Sequence, residues 1–575
     1  MPSPSTASPS TASPPSRPVR PVRAVVREIV EAAWRAAIQS GALPPVPVDA
    51  DVPVVEVSHS SDPAHGDLAS SLALKLARPL RRPPMVIAAA IAAELRVGIE
   101  AGGPLSDVQV AAPGFLNMRL AQGYLERTLD DARAAGHAFG RGDPGSPRVI
   151  DVEFVSANPT GPLTVGNARG AFVGDLLCRV LEAAGDHVTR EYYFNDSGRQ
   201  VRILGGSVAA RHAGDELPEE AYRGAYVDSL AEELPDHIWA TATTPGSDRD
   251  SIVGAWASER IRSGIEASLA HLGVRFDVWT SEASLHAEGW VERAVERLRA
   301  GGYVFEQDGA TWFRSTDFGD DKDRVIYRAT GEPTYFAADI GYVTEKFSRG
   351  FGKLIYIWGA DHHGTVARVR NAAKAMGFDI DAVQMLLVAW VRFVRDGQEV
   401  SMSKRAGEFI TLDELLAEVG VDAARWSFAA RAPSSPIDFD LELARKQSAD
   451  NPVYYVQYAH ARICSILRKA TEAGIEPAAS LGGALGDDEV AAGLAREVLR
   501  LPEVVEDAAA AEETHAVTAY ATGLATTFHA FYRDRRVVDA SDPVTSAHRL
   551  ALVDTCRLAL RNTLDLLGIS TPEQM

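Results

Sequence analysis

The sequence has 575 residues, of which 46% are apolar and 24% charged, as in globular proteins, and its length predicts three or four domains. Its formal net charge of −20 argues against a general nucleic-acid binder, although an acidic protein can still carry a local basic surface for RNA. No apolar run is long enough to span a membrane, so we expect none.

The cysteines give no sign of a metal site. Cys178, Cys464 and Cys556 lie far apart inside helical patterns and lack the paired spacing of zinc ligands. Isolated thiols of this kind are typical of buried cysteines in a reducing compartment. We therefore expect a cytoplasmic protein without protein-bound zinc.

The first 122 residues divide into a tail and a small domain. Residues 1–23 are rich in Pro, Ser, Thr and Ala and cannot bury enough apolar surface to offset the entropy of ordering, so we predict disorder. Residues 24–122 combine helical spacing at 25–40 and 69–80 with a predicted strand at 54–57. This combination indicates an α/β domain.

The rest of the chain predicts two larger units after a Pro/Gly-rich linker at 142–147. Over residues 148–436, apolar runs alternate with helical patterns, which predicts a doubly wound parallel sheet. The expected strands lie near 149–155, 325–326, 354–358 and 385–388. The mostly helical interval at about 196–317 is predicted to be an insertion. Residues 437–575 have a helical pattern throughout and predict an all-α bundle.

The most informative stretch is 149–170, which predicts a buried strand, a Pro/Gly loop and a helix that starts near Val165. The free N–H groups and the dipole of a helix N-terminus favour bound phosphate. Gly166 would let a nucleotide approach the backbone closely. The stretch therefore predicts a nucleotide site.

A second motif lies far downstream, at 401–407, with the sequence Ser-Met-Ser-Lys-Arg-Ala-Gly. The flexible ammonium of Lys404 suits a phosphate group, because it can follow the negative charge as a point donor.

Together the two motifs resemble the paired signatures of class I aminoacyl-tRNA synthetases, His-Ile-Gly-His and Lys-Met-Ser-Lys. The surrounding residues, above all 157–170, 190–198, 308–339 and 451–462, narrow the resemblance to arginyl-tRNA synthetases. It implies a class I Rossmann-like α/β catalytic domain with a parallel sheet and a helical insertion. A small α/β tRNA-contacting domain would precede it, and an all-α anticodon-binding bundle would follow.

The resemblance also implies an activity. L-arginine and ATP, with Mg²⁺, would give an enzyme-bound arginyl-adenylate, from which arginine passes to tRNA(Arg). Relatives also imply a monomer.

The resemblance assigns roles residue by residue. Catalytic roles fall on Thr164, Asn167 and Lys404. ATP binding falls on these three and on Gly161, Gly166, Gly359, Asp361, His362, Met402 and Ser403. Arginine binding falls on Glu153, Asn158, Tyr335 and Asp339, since carboxylates and a stacked ring suit a guanidinium. Contacts to tRNA fall on His65, Asp67, Asn117, Tyr455, Gln457, Tyr458 and Arg462, because aromatic, amide and cationic side chains suit unpaired bases.

Several positions depart from the family pattern and keep alternatives open. Thr164 and Asn167 replace the motif histidines, Ser401 replaces the first motif lysine, and Ala389 stands where relatives often carry Gln. Thr164 and Ser401 support one alternative, a non-catalytic paralogue that binds tRNA or a protein partner. The intact residues of the motifs and of the pocket oppose it: Gly166, Lys404, Glu153, Tyr335 and Asp339. A class I synthetase for another amino acid is the second alternative, and the acids at Glu153 and Asp339 count against an apolar or acidic substrate.

Overall fold

The computed structural model describes residues 18–48, 50–143, 145–196, 198–400, 410–486 and 488–575. These ranges form an N-terminal α/β domain, a central α/β domain and a C-terminal helical bundle, so the predicted fold class is confirmed. One apolar core runs through all three units. In the described part of the chain, no helix has both the length and the apolar character needed to cross a membrane.

The N-terminal domain packs helices against an antiparallel sheet in the order β1-β2-β4-β3. Its elements are α1 (Val22–Gln39), β1 (Ser58–His59), β2 (Leu68–Ser70), α2 (Leu72–Leu80), α3 (Pro84–Glu100), β3 (Leu105–Ala111), β4 (Phe115–Leu120) and α4 (Gln122–Ala135). The strand predicted at 54–57 is wrong: this segment is extended but pairs with no strand in the described chain, although Val55 and Val57 are buried.

The central domain is built on a parallel sheet in the order β12-β11-β5-β6-β7. Its first part contains β5 (Val149–Phe154), α5 (Val165–Ala183), β6 (His187–Phe194), α6 (Gly198–Ala213), α7 (Ala225–Glu233), α8 (Asp236–Ala242), α9 (Arg249–His271), β7 (Val278–Ser281), α10 (Glu282–Ala287) and α11 (Trp290–Ala300). Its second part contains β8 (Val304–Gln307), β9 (Ala310–Phe313), β10 (Arg324–Tyr327), α12 (Tyr335–Ser348), β11 (Lys353–Gly359), α13 (His363–Ala375), β12 (Val383–Val388), β13 (Val391–Arg395), β14 (Gln398–Glu399), α14 (Leu412–Val419), α15 (Val421–Ala429), β15 (Ile437–Asp440) and α16 (Leu441–Arg445).

The order of the strands creates a crevice beside β5. The chain first runs from β5 to β6 and β7 on one side, and later returns to β11 and β12 on the other. In open α/β sheets, ligands bind outside the carboxyl ends of the strands where the direction reverses. The loop and helix that follow β5 stand at this point, with α5 beginning at Val165 as predicted.

Two sequence predictions for the central domain are wrong. The apolar pair at 325–326 lies in β10, which belongs to a separate antiparallel sheet where Val325 pairs with Trp312. A short apolar run fits a hairpin partner as well as a central strand. The predicted helical insertion also contains β7, which joins the edge of the parallel sheet beside β6. The half-buried residues of β7 lack the apolar run that marks a central strand.

The C-terminal bundle begins later than predicted. Residues 437–445 are not part of it, because β15 pairs in parallel with β13 of the central domain. The bundle helices are α17 (Pro452–Glu472), α18 (Glu489–Val498), α19 (Leu501–Ala511), α20 (His515–Asp534) and α21 (Pro543–Leu567). The bundle also packs on the N-terminal domain, where buried Glu126 of α4 accepts hydrogen bonds from the N–H groups of Gly483 (2.8 Å) and Leu485 (2.9 Å).

A buried arginine joins the central domain to the bundle. Arg425 of α15 donates to Asp175 of α5, to the Leu272 carbonyl after α9 at 2.8 Å and to the Leu567 carbonyl at the end of α21 at 2.8 Å. The next residue, Gly568, has a positive φ of 65°, and a Cβ there would collide with the guanidinium. One side chain thus caps two helix ends and pairs with a third helix.

We expect Arg425→Met to lower the free energy of unfolding by about 3–5 kcal/mol, because it removes one partner of a buried ion pair and leaves two carbonyls without a donor. Urea unfolding followed by circular dichroism measures the change. Arg431→Met is the matched control, since Arg431 is exposed two residues after α15. Equal unfolding midpoints for the two variants would contradict the structural role of Arg425.

Candidate active site

A cavity of about 1100 Å³ opens at the carboxyl ends of the parallel strands. It is lined by most of the predicted arginine and ATP residues: Glu153, Asn158, Thr164, Gly166, Asn167, Tyr335, Asp339, Gly359, Asp361 and His362. Gly161 instead lies beside Tyr226 of α7, with its neighbour Thr160 accepting the tyrosine hydroxyl at 3.0 Å. Met402, Ser403 and Lys404 lie outside the described residues.

The turn after β5 has a strained backbone. Val155 and Ser156 have positive φ values of 68° and 43°, which cost on the order of 1–3 kcal/mol each for residues of this kind. Tyr192 of β6 holds the turn, because its hydroxyl donates to the Ala157 carbonyl at 2.9 Å and accepts from the Ala157 N–H at 3.0 Å. This clamp directs the chain from the sheet towards α5.

A fully buried lysine lies beneath the cavity. Lys346 of α12 is 0% exposed, and its Nζ lies 2.7 Å from Asp151 Oδ2, 3.1 Å from Glu153 Oε2 and 3.9 Å from Glu191 Oε2. Arg349, one turn further along α12, pairs with the same oxygen of Glu191. The two cations make it possible to bury three carboxylates side by side.

The carboxylates of this cluster differ in protonation. Burial raises the pKa of Asp151 to about 8, despite the attraction of Lys346. Burial also opposes ionisation of Glu191, but Lys346 and Arg349 lower its pKa to about 2. Protonation of Asp151 and the cations Lys346 and Arg349 together reduce the negative charge on the floor of the cavity.

Glu153 is less free than the sequence suggested. Its Oε2 faces Lys346, and its Oε1 accepts the Ser156 hydroxyl at 2.9 Å. These two contacts use about half of the acceptor sites of the carboxylate and fix its position beneath the cavity. Glu153 therefore belongs mainly to the floor.

Asp339 is the carboxyl group that the cavity leaves available. Burial, together with the nearby charges of Glu282 and Glu153, raises its pKa to about 7. Glu282 is itself buried, and it accepts the hydroxyl of Tyr193, which also lines the cavity. Tyr335 begins α12 with 68% of its surface exposed. An exposed ring beside Asp339 and Glu282 forms a pocket suited to an organic cation.

Thr164 and Asn167 close a capping box at the start of α5. Asn167 Oδ1 accepts the Thr164 N–H at 3.0 Å and the Thr164 hydroxyl at 3.1 Å. The pair is also held from outside, since the Val165 N–H donates to the Ile410 carbonyl at 3.2 Å. The two residues thus fix the helix N-terminus, while exposed Gly166 faces the cavity.

Gly359, Asp361 and His362 follow β11 on the opposite side of the cavity. Asp361 and His362 are exposed and 3.6 Å apart. Across the described ranges, no group of three or more His, Cys, Asp or Glu side chains is arranged to hold a metal ion. The three cysteines are free and buried.

The predicted tRNA contacts in the bundle separate into two kinds. Arg462 lies over the rings of Tyr458 and Tyr532, with centroid distances of 4.5 and 5.3 Å. Tyr455 packs against His529 at 4.9 Å in the same cluster. Tyr532 was missed because it lies on a different helix, some seventy residues further along the chain.

Gln457 has a structural role instead. It is 7% exposed, and its amide donates to Asp422 at 2.8 Å and to the Ser570 carbonyl at 3.0 Å. Its contact with tRNA, predicted from the sequence, stays a prediction.

The predicted contacts in the N-terminal domain divide in the same way. His65 is exposed, and Asn117 is half-buried on β4. Asp67 is held by the structure, because it accepts the Leu120 N–H at 2.8 Å and lies 3.3 Å from Arg496 of α18. Asp67 thus links the N-terminal domain to the bundle. Phe115, exposed at the start of β4, was not singled out from the sequence.

Three family profiles match successive parts of the chain. They are described as the arginyl tRNA synthetase N terminal domain (24–120), the catalytic domain of class I tRNA synthetases (R) (143–427) and the DALR anticodon binding domain (456–575). An "Arginine--tRNA ligase" of Oleidesulfovibrio alaskensis is 43% identical over 547 residues, which is 93% of this chain and 98% of that protein.

The chain belongs to the arginyl-tRNA synthetase family. A relative from Moorella thermoacetica with the same name is 45% identical, over 91% of this chain and 94% of its own. A solved structure of a protein named as an arginyl-tRNA synthetase from Campylobacter jejuni is 32% identical, with a TM-score of 0.72, over 79% of this chain and all of that one. The Thermus thermophilus arginyl-tRNA synthetase, at 24% identity and a TM-score of 0.74, shares the fold over 96% of this chain.

Proposed function

We propose that the chain attaches L-arginine to its cognate tRNA. Arginine and ATP react to an enzyme-bound arginyl-adenylate and diphosphate, and the arginyl group then passes to the 3′ end of tRNA with release of AMP. The observation that carries this proposal is the pocket of Asp339, Glu282 and Tyr335, above a floor neutralised by Lys346, in a member of this family.

The arginine side chain would enter at the end of the cavity over β5 and β6. Asp339 pairs with the guanidinium, and Tyr335 stacks on its plane. Asn158, whose amide nitrogen donates to Gln200 at 2.9 Å, lies near the loop and holds the α-amino or carboxylate end. Glu153 contributes through its place in the floor.

ATP would lie across the N-terminus of α5, where the Gly166 N–H would donate to a phosphate or ribose oxygen. Thr164 and Asn167 act by holding that turn, and Gly359, Asp361 and His362 form the facing wall. Gly161 acts indirectly, through the shape of the loop before α5. Mg²⁺ comes with the nucleotide, because this ion keeps most of its waters and binds phosphates readily.

Met402, Ser403 and Lys404 would approach the same phosphates. On either side of their segment, the Val400 N–H donates to the Phe393 carbonyl of β13 and the Leu412 N–H donates to the Leu163 carbonyl just before α5, both at 2.9 Å. Because a lysine ammonium is a compact charge on a long stem, Lys404 would stabilise the departing diphosphate. This is the positive charge that the motif of this chain retains.

Two surfaces would hold tRNA. Tyr455, Tyr458, Arg462 and Tyr532 offer rings and a cation to unpaired bases of the anticodon. His65, Asn117 and Phe115 offer a second contact on the N-terminal domain. The enzyme works in the cytoplasm as a monomer. Sedimentation in the presence and absence of tRNA would test the oligomeric state.

The direct test is charging of total tRNA with labelled arginine and ATP, with lysine, glutamine and cysteine in parallel. We expect stable incorporation of arginine alone. Incorporation of another amino acid would leave the chain a class I synthetase but contradict the assignment of the pocket to arginine. If a folded protein that binds tRNA incorporates none of them, the departures at Thr164 and Ser401 are decisive and the chain is a non-catalytic paralogue.

The affinity for arginine should depend on pH. A protonated Asp339 cannot pair with a guanidinium, so arginine binds more tightly as pH rises through the pKa of about 7. For one such group, the KM for arginine should fall about tenfold between pH 6 and pH 8. Asp339→Asn should show a high KM that varies little over this range, and the KM for ATP is the internal control. A wild-type KM for arginine that is constant from pH 6 to 8 would contradict the role of Asp339.

A further inference from the structure

On the α5 side of the nucleotide end of the cavity, the polar side chains are already engaged with each other. Thr164 and Asn167 bond to each other in the capping box, so the hydroxyl and the amide oxygen are already used. Backbone N–H groups of α5 suit phosphate and ribose oxygens, but a purine also presents a large flat face. Such a face gains most from an aromatic surface.

One exposed aromatic side chain stands at this end. Trp390 follows β12, lines the cavity and is 60% exposed, which is unusual for a large apolar side chain. Among the described residues with exposed large apolar side chains, only Trp390 and Tyr335 are aromatic and more than half exposed, and both line this cavity. Exposed aromatic surface is therefore concentrated where a substrate binds.

The backbone around Trp390 is fixed even though its ring is exposed. The Ala389 N–H donates to the Pro433 carbonyl at 2.9 Å, and the Ala389 carbonyl accepts from Arg169 of α5 at 2.8 Å. Arg169 is buried and also donates to the Ala432 carbonyl at 2.9 Å. The start of α5 and the Trp390 backbone are thus held as one rigid unit, which is what a stacking surface needs.

The strand order separates Trp390 from the carboxylates. Trp390 follows β12, whereas Glu153 lies on β5, with β11 between the two strands. Adjacent strands lie about 4.8 Å apart, so the two ends of the cavity are about 10 Å apart in the plane of the sheet. Asp339 and Glu282 are close to Glu153, at the far end from Trp390. Tyr335 thus lies at the end that would bind a cation, and Trp390 lies at the end nearest α5.

We propose that the indole of Trp390 forms the stacking surface for the adenine base of ATP. The small side chain of Ala389 leaves the entrance to the ring open, and the helix N-terminus of α5 receives the phosphates beside it. This inference takes ATP as the substrate from the proposed function and adds the residue that holds its base.

The test compares Trp390→Ala and Trp390→Phe with wild type in tRNA charging and in titrations with ATP and inorganic tripolyphosphate, which lacks a base. Loss of one base stack should raise the KM for ATP by about 5- to 100-fold in Trp390→Ala and less in Trp390→Phe. The KM for arginine and the affinity for tripolyphosphate should change less than twofold. Adding ATP should change the tryptophan fluorescence of wild type but much less that of Trp390→Phe.

Trp312→Phe is the matched control, since Trp312 stacks on Phe305 in the β8–β9 hairpin, outside the cavity wall. It should keep both the KM for ATP and the fluorescence change. A KM for ATP within twofold of wild type in Trp390→Ala, or equal losses for ATP and tripolyphosphate, would overturn the proposal. If no protein charges arginine, the proposed function fails, while the fluorescence titrations still decide whether Trp390 contacts the base.

Discussion

The site depends on one buried cation. Lys346 lies within 4 Å of carboxylates on β5 and β6, and it makes their burial possible below the cavity. Without its charge, the carboxyl groups of Asp151, Glu153 and Glu191 would lie buried side by side in a region of low dielectric with only Arg349, at Glu191, to compensate them among the described residues. Lys346 stands on the same helix as Tyr335 and Asp339, so the element that neutralises the floor also carries the pocket above it.

In this arrangement, one group of acidic residues stabilises the fold and a different group is available to bind the ligand. The floor pairs its carboxyl groups with Lys346 and Arg349 and stays fixed, while burial raises the pKa of Asp339 and of Glu282, so that a cationic ligand would favour their charged forms. A pocket whose acids are all free would be costly to bury in the empty protein, and one whose acids are all paired would not attract a cation. This cavity combines the two kinds of acid, because, among the described residues, the acids of its floor are paired with cations and Asp339 is not.

On the nucleotide side of the cavity, backbone contacts rather than ion pairs hold the site in place. The strained turn at Val155 and Ser156 is clamped by Tyr192, and the first turn of α5 is closed by Thr164 and Asn167. The residues at the two motif histidine positions thus have a defined structural use in this chain. Strain and capping fix the helix N-terminus before any ligand arrives, which lowers the entropic cost of binding.

The sequence predicted elements with strong local patterns and missed those whose meaning lies in distant contacts. The β5 strand and the α5 helix were predicted because apolar runs and a Gly/Pro loop mark them. The short strands β7 and β15 were missed, since half-polar residues carry no such pattern. The roles of Lys346 and Tyr532 depend on partners far along the chain. The internal contacts of Gln457 and Asp67, which join parts of different domains, could not be predicted either, because the sequence does not distinguish a polar residue with an internal partner from one that binds a ligand.

The central claim is that the pocket recognises the positive charge of its substrate side chain through Asp339 and Glu282. Calorimetric binding of arginine and of citrulline, its neutral isostere, to the tRNA-bound protein tests this most directly. Losing one partner of a buried charge pair typically weakens binding by at least about 30-fold, so citrulline should bind that much more weakly than arginine. Equal affinities for the two amino acids would contradict the account.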